Sequence, residues 1–135
     1  MDAALPEGRY ILLVDDDPDS HIILATLLSR LGWETVKAEN GKKALELAGQ
    51  KTPTLIMTDL MMPTMSGFEL VARLKQDSVL KDVPVIIISA LGASARLQEL
   101  GAAAVMPKGT FTRDTLTSVL SKVLGSAEPQ AATAA

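Results

Sequence analysis

Five short runs constrain this chain more than anything else in it. "YILLV" (Tyr10 to Val14), "ETVKA", "LIMTD", "VPVIIIS" (Val83 to Ser89) and "AAVMP" are each about one strand long, and all but the second are mainly apolar. Continuous apolar runs of this length, bounded by acids, prolines and glycines, read as strands buried on both faces. Between them, apolar residues recur at helical spacing. Pro18 and Asp19 suit a first helical turn, Ile23, Leu24, Leu27, Leu28 and Leu31 form a stripe, and Gly32 ends it. "NGKKALELAGQ" opens a second helix at Asn40 and Gly41, and a third runs from about Gly67 to Lys75. After a turn ending in Pro84, a short helix is expected around Ser94 to Leu100. A final amphipathic helix carries Leu116, Val119, Leu120 and Val123 on one stripe. Strands alternating with helices in five βα units predict an α/β fold, a parallel sheet covered on both faces.

With 135 residues, 47% of them hydrophobic, the chain can build one core rather than two. The domain is expected over 9–125, with a flexible segment at 1–8 and a disordered tail at 126–135, both small, polar or proline-containing. A net charge of −3 without a basic stripe weighs against direct nucleic-acid binding. Without cysteine there is neither a disulfide framework nor a thiolate metal site. No run reaches the length of a membrane span, and the opening residues lack the pattern of a secretory signal, so a cytoplasmic protein without membrane insertion is expected.

In open parallel sheets, ligands bind beyond the carboxyl ends of the strands where strand order reverses. There the first strand ends in Asp15, Asp16 and Asp17, the third in Asp59, the fourth in Ser89, and the fifth runs through Pro107 into Lys108. Carboxylates gathered at one edge repel one another unless a cation sits among them. Oxygen donors with no histidine nearby favour a hard ion such as Mg²⁺.

These residues stand in "LLVDDDP", "MTDLMMPTMSGFEL", "PVIIISA" and "GAAAVMPK", and together they resemble the receiver domain of two-component response regulators over about Tyr10 to Leu124. The motifs are specific in combination: an acidic pair after the first strand, an aspartate followed by proline and then glycine, a hydroxyl after the fourth strand, a late lysine. The resemblance implies a doubly wound, flavodoxin-like sheet of strand order 2-1-3-4-5, of the kind found in single-domain chemotaxis regulators. It implies Asp59 as phosphoryl acceptor, Asp16 as direct Mg²⁺ ligand, Asp15 as a neighbour reaching the ion through water, and the Met61 carbonyl as a further ligand. Lys108 would pair with the acidic cluster and then with the phosphoryl group. Ser89 would hydrogen-bond a phosphoryl oxygen. The phosphodonor would be a histidine kinase or histidine phosphotransfer protein, and the readout a changed affinity for a downstream protein.

Other residues have plainer readings. Asp17 leads the first helix, where the macrodipole favours an acid. His21, the one histidine, reads as a surface residue of that helix. Met61, Met62 and Met65 read as packing and loop residues, since thioethers do not suit a hard ion. Ile22 and Ala25 flank the helix stripe and are expected to leave an apolar patch facing solvent, and the resemblance implies that this helix docks the phosphodonor.

Three departures from the family fall on the face that most receivers use for output. Gly109 follows Lys108 where a proline is usual, Val105 stands where a swinging Tyr or Phe is common, and the Ser89–Gly101 segment is about three residues short, close to one helical turn of ~3.6 residues. Gly109 predicts a looser loop with no cis peptide after Lys108. Met61 and Leu91 are apolar where hydrolysis would need a water-orienting group, which predicts a long-lived phosphoryl form. A signalling switch rather than a turnover enzyme is expected, assisting its own phosphorylation and slow dephosphorylation. The alternatives are a receiver-like adaptor independent of phosphorylation, or an aspartate-nucleophile phosphohydrolase. Met61 occupies the general-acid position of the latter.

Overall fold

The computed structural model describes residues 5–60, 62, 65–89, 101–107, 109 and 111–125. Its strands are β1 (Tyr10–Val14), β2 (Glu34–Ala38), β3 (Leu55–Asp59), β4 (Val85–Ser89) and β5 (Ala104–Pro107). The helices among the described residues are α1 (Pro18–Arg30), α2 (Gly41–Gln50), α3 (Gly67–Gln76) and α4 (Arg113–Leu124), with one 3₁₀ turn at Leu80–Asp82. The five strands are parallel and ordered β2-β1-β3-β4-β5, the doubly wound order expected. The helix expected around Ser94 to Leu100 lies outside the described residues.

Each helix begins where a side chain can satisfy its free amide groups. Asp17 accepts from the Asp19 amide, Asn40 from that of Lys43, and Ser66 from that of Glu69. At α4, Thr112 and Thr115 cap each other reciprocally. Gly32, just past α1, takes φ +93°, a value that glycine reaches without strain.

Alternation along the buried strands divides the core into two layers. Tyr10, Leu12, Val14, Ile56, Val85 and Ile87 pack with α2 and α3 through Leu47, Leu70, Val71 and Leu74. Ile11, Leu13, Leu55, Met57, Ile86 and Ile88 pack on the other face with Leu24 and Leu28 of α1 and Leu116 and Leu120 of α4. Ile23 departs from the expected stripe: it is 55% exposed, beside Ile22 at 60%. The inward line of α1 runs through Leu24 and Leu28, and Ile23 falls off its flank. Ala25 is half-buried and packs against the second layer instead of facing solvent.

At the amino-terminal edge of the sheet, the Lys51 ammonium donates to the carbonyls of Pro6 and Gly8, and the Tyr10 hydroxyl donates to the Lys51 carbonyl at 2.5 Å. Leu5 packs against the first core layer. No helix among the described residues is long and apolar enough to cross a membrane.

Candidate functional site

Strand order places β1 between β2 and β3, so the chain reverses direction across the sheet at the β1/β3 crevice. The register that pairs Val14 with Thr58 brings the next residues, Asp15 and Asp59, alongside each other. With Asp16, they form a cluster whose carboxylate oxygens lie within 4.8 Å of one another. Asp15 and Asp59 are buried, at 6% and 3% exposure, while Asp16 opens to solvent. Two buried carboxylates at this separation need compensating charge or donors. The oxygen-only donor set fits a small hard cation.

Each acid is held by its backbone. The Asp15 amide donates to the Ala38 carbonyl at 3.1 Å, continuing the β1–β2 ladder past its end. The Asp17 amide donates to Asp15 Oδ1 at 2.8 Å, while the Asp17 carboxylate caps α1. Asp17 is thus the helix leader that the sequence predicts. Its amide also orients Asp15, a role without a side-chain signature. The Leu60 amide reaches the Ile88 carbonyl at 3.1 Å, so pairing with β4 continues past Asp59.

The entry to α3 closes on Asp59 from behind. The Gly67 amide donates to the Leu60 carbonyl at 2.8 Å. A Cβ at Gly67 would lie 2.7 Å from the Asp59 carbonyl oxygen and 2.9 Å from Leu60 Cα. The glycine eight places after Asp59 therefore answers to a backbone-to-backbone approach. Ser89 ends β4 one residue beyond Ile88, the register partner of Asp59, and is 2% exposed. Met61 and Lys108, the other expected site residues, lie outside the described residues.

His21 is half-buried rather than on the surface. Its Nδ1 is buried with no hydrogen-bond partner among the described residues. Burial first, and then the charge of Lys37, hold its pKa below the ordinary value of 6.5. Protonation makes both ring nitrogens donors and puts charge on a half-buried ring whose Nδ1 is out of reach of solvent. As pH falls through about 6.5 the unfolded chain binds the proton before the folded one does. The contribution of His21 to stability is therefore complete above that pH and is lost as pH falls towards the folded pKa. Denaturant titrations at about pH 7 and pH 5 are expected to show a smaller loss of stability in His21→Gln than in wild type.

Residues 11–121 match the model of the response regulator receiver domain family. The phosphate regulon transcriptional regulatory protein PhoB of Pseudomonas aeruginosa is 39% identical over 85 residues, which cover 63% of this chain and 37% of that protein. The polar-differentiation response regulator DivK of Brucella anthropi is 33% identical over 103 residues, 74% of this chain and 84% of that one. The chemotaxis protein CheY4 of Vibrio cholerae has a similar structure, with a TM-score of 0.78 at 28% identity over 86% of this chain and 98% of that one. In four relatives that include PhoB, the match spans only 34% to 42% of their length. Family model, strand order and the buried acids at the β1/β3 crevice agree, and this chain belongs to the receiver domain family of two-component response regulators.

Proposed function

We propose that this receiver takes a phosphoryl group from a histidine kinase or histidine phosphotransfer protein onto Asp59 and thereby changes its affinity for a downstream protein. The observation that carries the reading is the meeting of Asp15, Asp16 and Asp59 within 4.8 Å at the switch point of the sheet. An oxygen of the Asp59 carboxylate forms the new bond to phosphorus. The bond from phosphorus to the donor imidazole nitrogen breaks, and its electron pair stays on that nitrogen. Asp15, Asp16, Asp59 and the Met61 carbonyl are the groups that would hold Mg²⁺. When bound, the ion offsets the charge that opposes attack of a carboxylate on an anionic phosphoryl group. The rigid β3 end keeps Asp59 from rotating away. Ser89, and Lys108 by resemblance, then donate to the phosphoryl oxygens in charge-assisted bonds. The exposed Ile22 and Ile23 form the apolar surface for the phosphodonor, Ile23 also lining a small cavity of about 70 Å³ with Ser20, Gly109 and Phe111, and the half-buried Ala25 packs on the core beneath the same helix. The place of action is the cytoplasm, without direct nucleic-acid contact or membrane insertion.

The test is incubation with acetyl phosphate and Mg²⁺, read by intact mass. Wild type is expected to gain one phosphoryl group and to gain none in excess chelator. No gain with Mg²⁺ would turn the reading to the constitutive adaptor. That alternative draws on Val105, which is half-buried against the first core layer and has no ring to swing.

The apolar Met61 and Leu91 point to slow hydrolysis of the aspartyl phosphate. In a time course after removal of the phosphodonor, with Mg²⁺ retained, the modified mass is expected to outlast that of a chemotaxis-type receiver by about a hundredfold or more, the lower end of what one lost acid–base contribution is worth. Decay at the chemotaxis rate would remove the assignment from Met61 and Leu91.

A further inference from the structure

The hold on Asp59 extends further back than α3. Gly41 is the first residue of α2, and the space its side chain would occupy belongs to Met65. A Cβ there would lie 2.6 Å from Met65 Sδ, 2.9 Å from Cγ and 3.0 Å from Cβ. The φ of Gly41 is not positive, and alanine would be the better helix former, so packing rather than backbone conformation calls for glycine. Met65 is 7% exposed and sits in the core layer with Ala44, Leu60 and Leu70. The next residue, Ser66, caps α3, and the one after it is Gly67, which abuts the Asp59 carbonyl. The contacts form an unbroken line from the first turn of α2 through Met65 and the α3 cap to the Asp59–Leu60 peptide.

We propose that Gly41 and Met65 are a positioning pair. The first turn of α2 is the stop against which Met65 seats the entry of α3, and that seating fixes where the Asp59 carboxylate stands. The assignment rests on Asp59 as phosphoryl acceptor for its consequence, but not for its geometry. Neither residue touches the reacting atoms.

The experiment compares wild type, Gly41→Ala and the double variant Gly41→Ala/Met65→Ala by two readouts. One is the rate of phosphorylation by saturating acetyl phosphate with Mg²⁺. The other is hydrogen exchange at the Gly67 amide in the phosphate-free protein. Gly41→Ala is expected to slow phosphorylation about tenfold, within the range that a misplacement of an ångström or less produces. It is also expected to speed exchange at Gly67. Trimming Met65 removes the clash, and the added methyl group takes over part of the volume that Met65 filled, so both readouts return part of the way towards wild type. Unchanged rate and exchange in Gly41→Ala would overturn the proposal, and so would a loss that Met65→Ala does not relieve. Failure of wild type to take phosphate, with the exchange pattern as expected, would overturn the acceptor reading and leave the pair standing. Should Gly41→Ala not fold, Met65→Ala alone is expected to speed Gly67 exchange while Met65→Leu, which keeps the volume, does not. The opposite result would overturn the pair.

Discussion

Asp59→Asn is expected to take up no phosphoryl group from acetyl phosphate under conditions that modify wild type completely, while keeping its fold. The amide matches the carboxylate in size but cannot supply the nucleophilic oxygen. It also removes one of three charges whose oxygens lie within 4.8 Å. Each such pair repels by about 1 kcal/mol even at the dielectric constant of water. Stability without Mg²⁺ should therefore hold or rise in the variant. Added Mg²⁺ should do the reverse: at ten times its Kd it stabilises wild type by about 1.4 kcal/mol and the variant by less, because one ligand has gone. Intact mass and thermal melts with and without the ion read both effects. Phosphate gained by the variant would move the nucleophile elsewhere, and equal stabilisation by Mg²⁺ would take Asp59 out of the ligand set.

Gly67→Ala is expected to produce the largest loss among single methyl additions. The new Cβ meets the Asp59 carbonyl oxygen at 2.7 Å and Leu60 Cα at 2.9 Å. Both are backbone atoms of paired structure and cannot turn aside as a side chain would. Overpacking of this kind costs about 1–3 kcal/mol. Because relief requires Asp59 itself to shift, phosphorylation should slow about tenfold to a hundredfold as well. Gly49→Ala provides the comparison: Gly49 is an exposed residue of α2 with nothing within 4 Å of the added carbon, and alanine there should stabilise by up to about 1 kcal/mol without touching phosphorylation. Denaturation midpoints and acetyl phosphate kinetics on the two variants separate a general glycine effect from one specific to the α3 entry. A Gly67→Ala protein as stable and as reactive as wild type would overturn the backing role.

Much of this was legible in the residues. The bounds of β1, β2 and β3 coincide with "YILLV", "ETVKA" and "LIMTD", and at β1 the reason is plain, since three acids and a proline stop the apolar run. That Asp15, Asp16 and Asp59 share one sheet edge followed from the rule that ligands sit beyond the carboxyl ends of parallel strands, while their meeting in one crevice followed from the strand order that the family resemblance implies. The spacing from Asp59 to Gly67 could be read, but not its reason, since a close approach between the end of one element and the start of another leaves no local pattern. Ile23 illustrates another gap. Helical period finds a stripe, but two adjacent isoleucines give no sign of which one lies on its flank, and the packing surface of the sheet decides. The Asp17 amide that orients Asp15 could not be seen, because any residue there except proline carries the same donor.

The clasp around Lys51 bears on how the protein can be handled. Its ammonium fastens the carbonyls of Pro6 and Gly8, and its own carbonyl receives the Tyr10 hydroxyl, all at the end of the sheet opposite the acids. A fluorophore or an immobilising tag joined through this leading segment is therefore moored at the far pole from Asp59. It leaves the acidic crevice and the exposed isoleucines of α1 clear, so partner capture on a surface can be followed from that end without obstructing the chemistry.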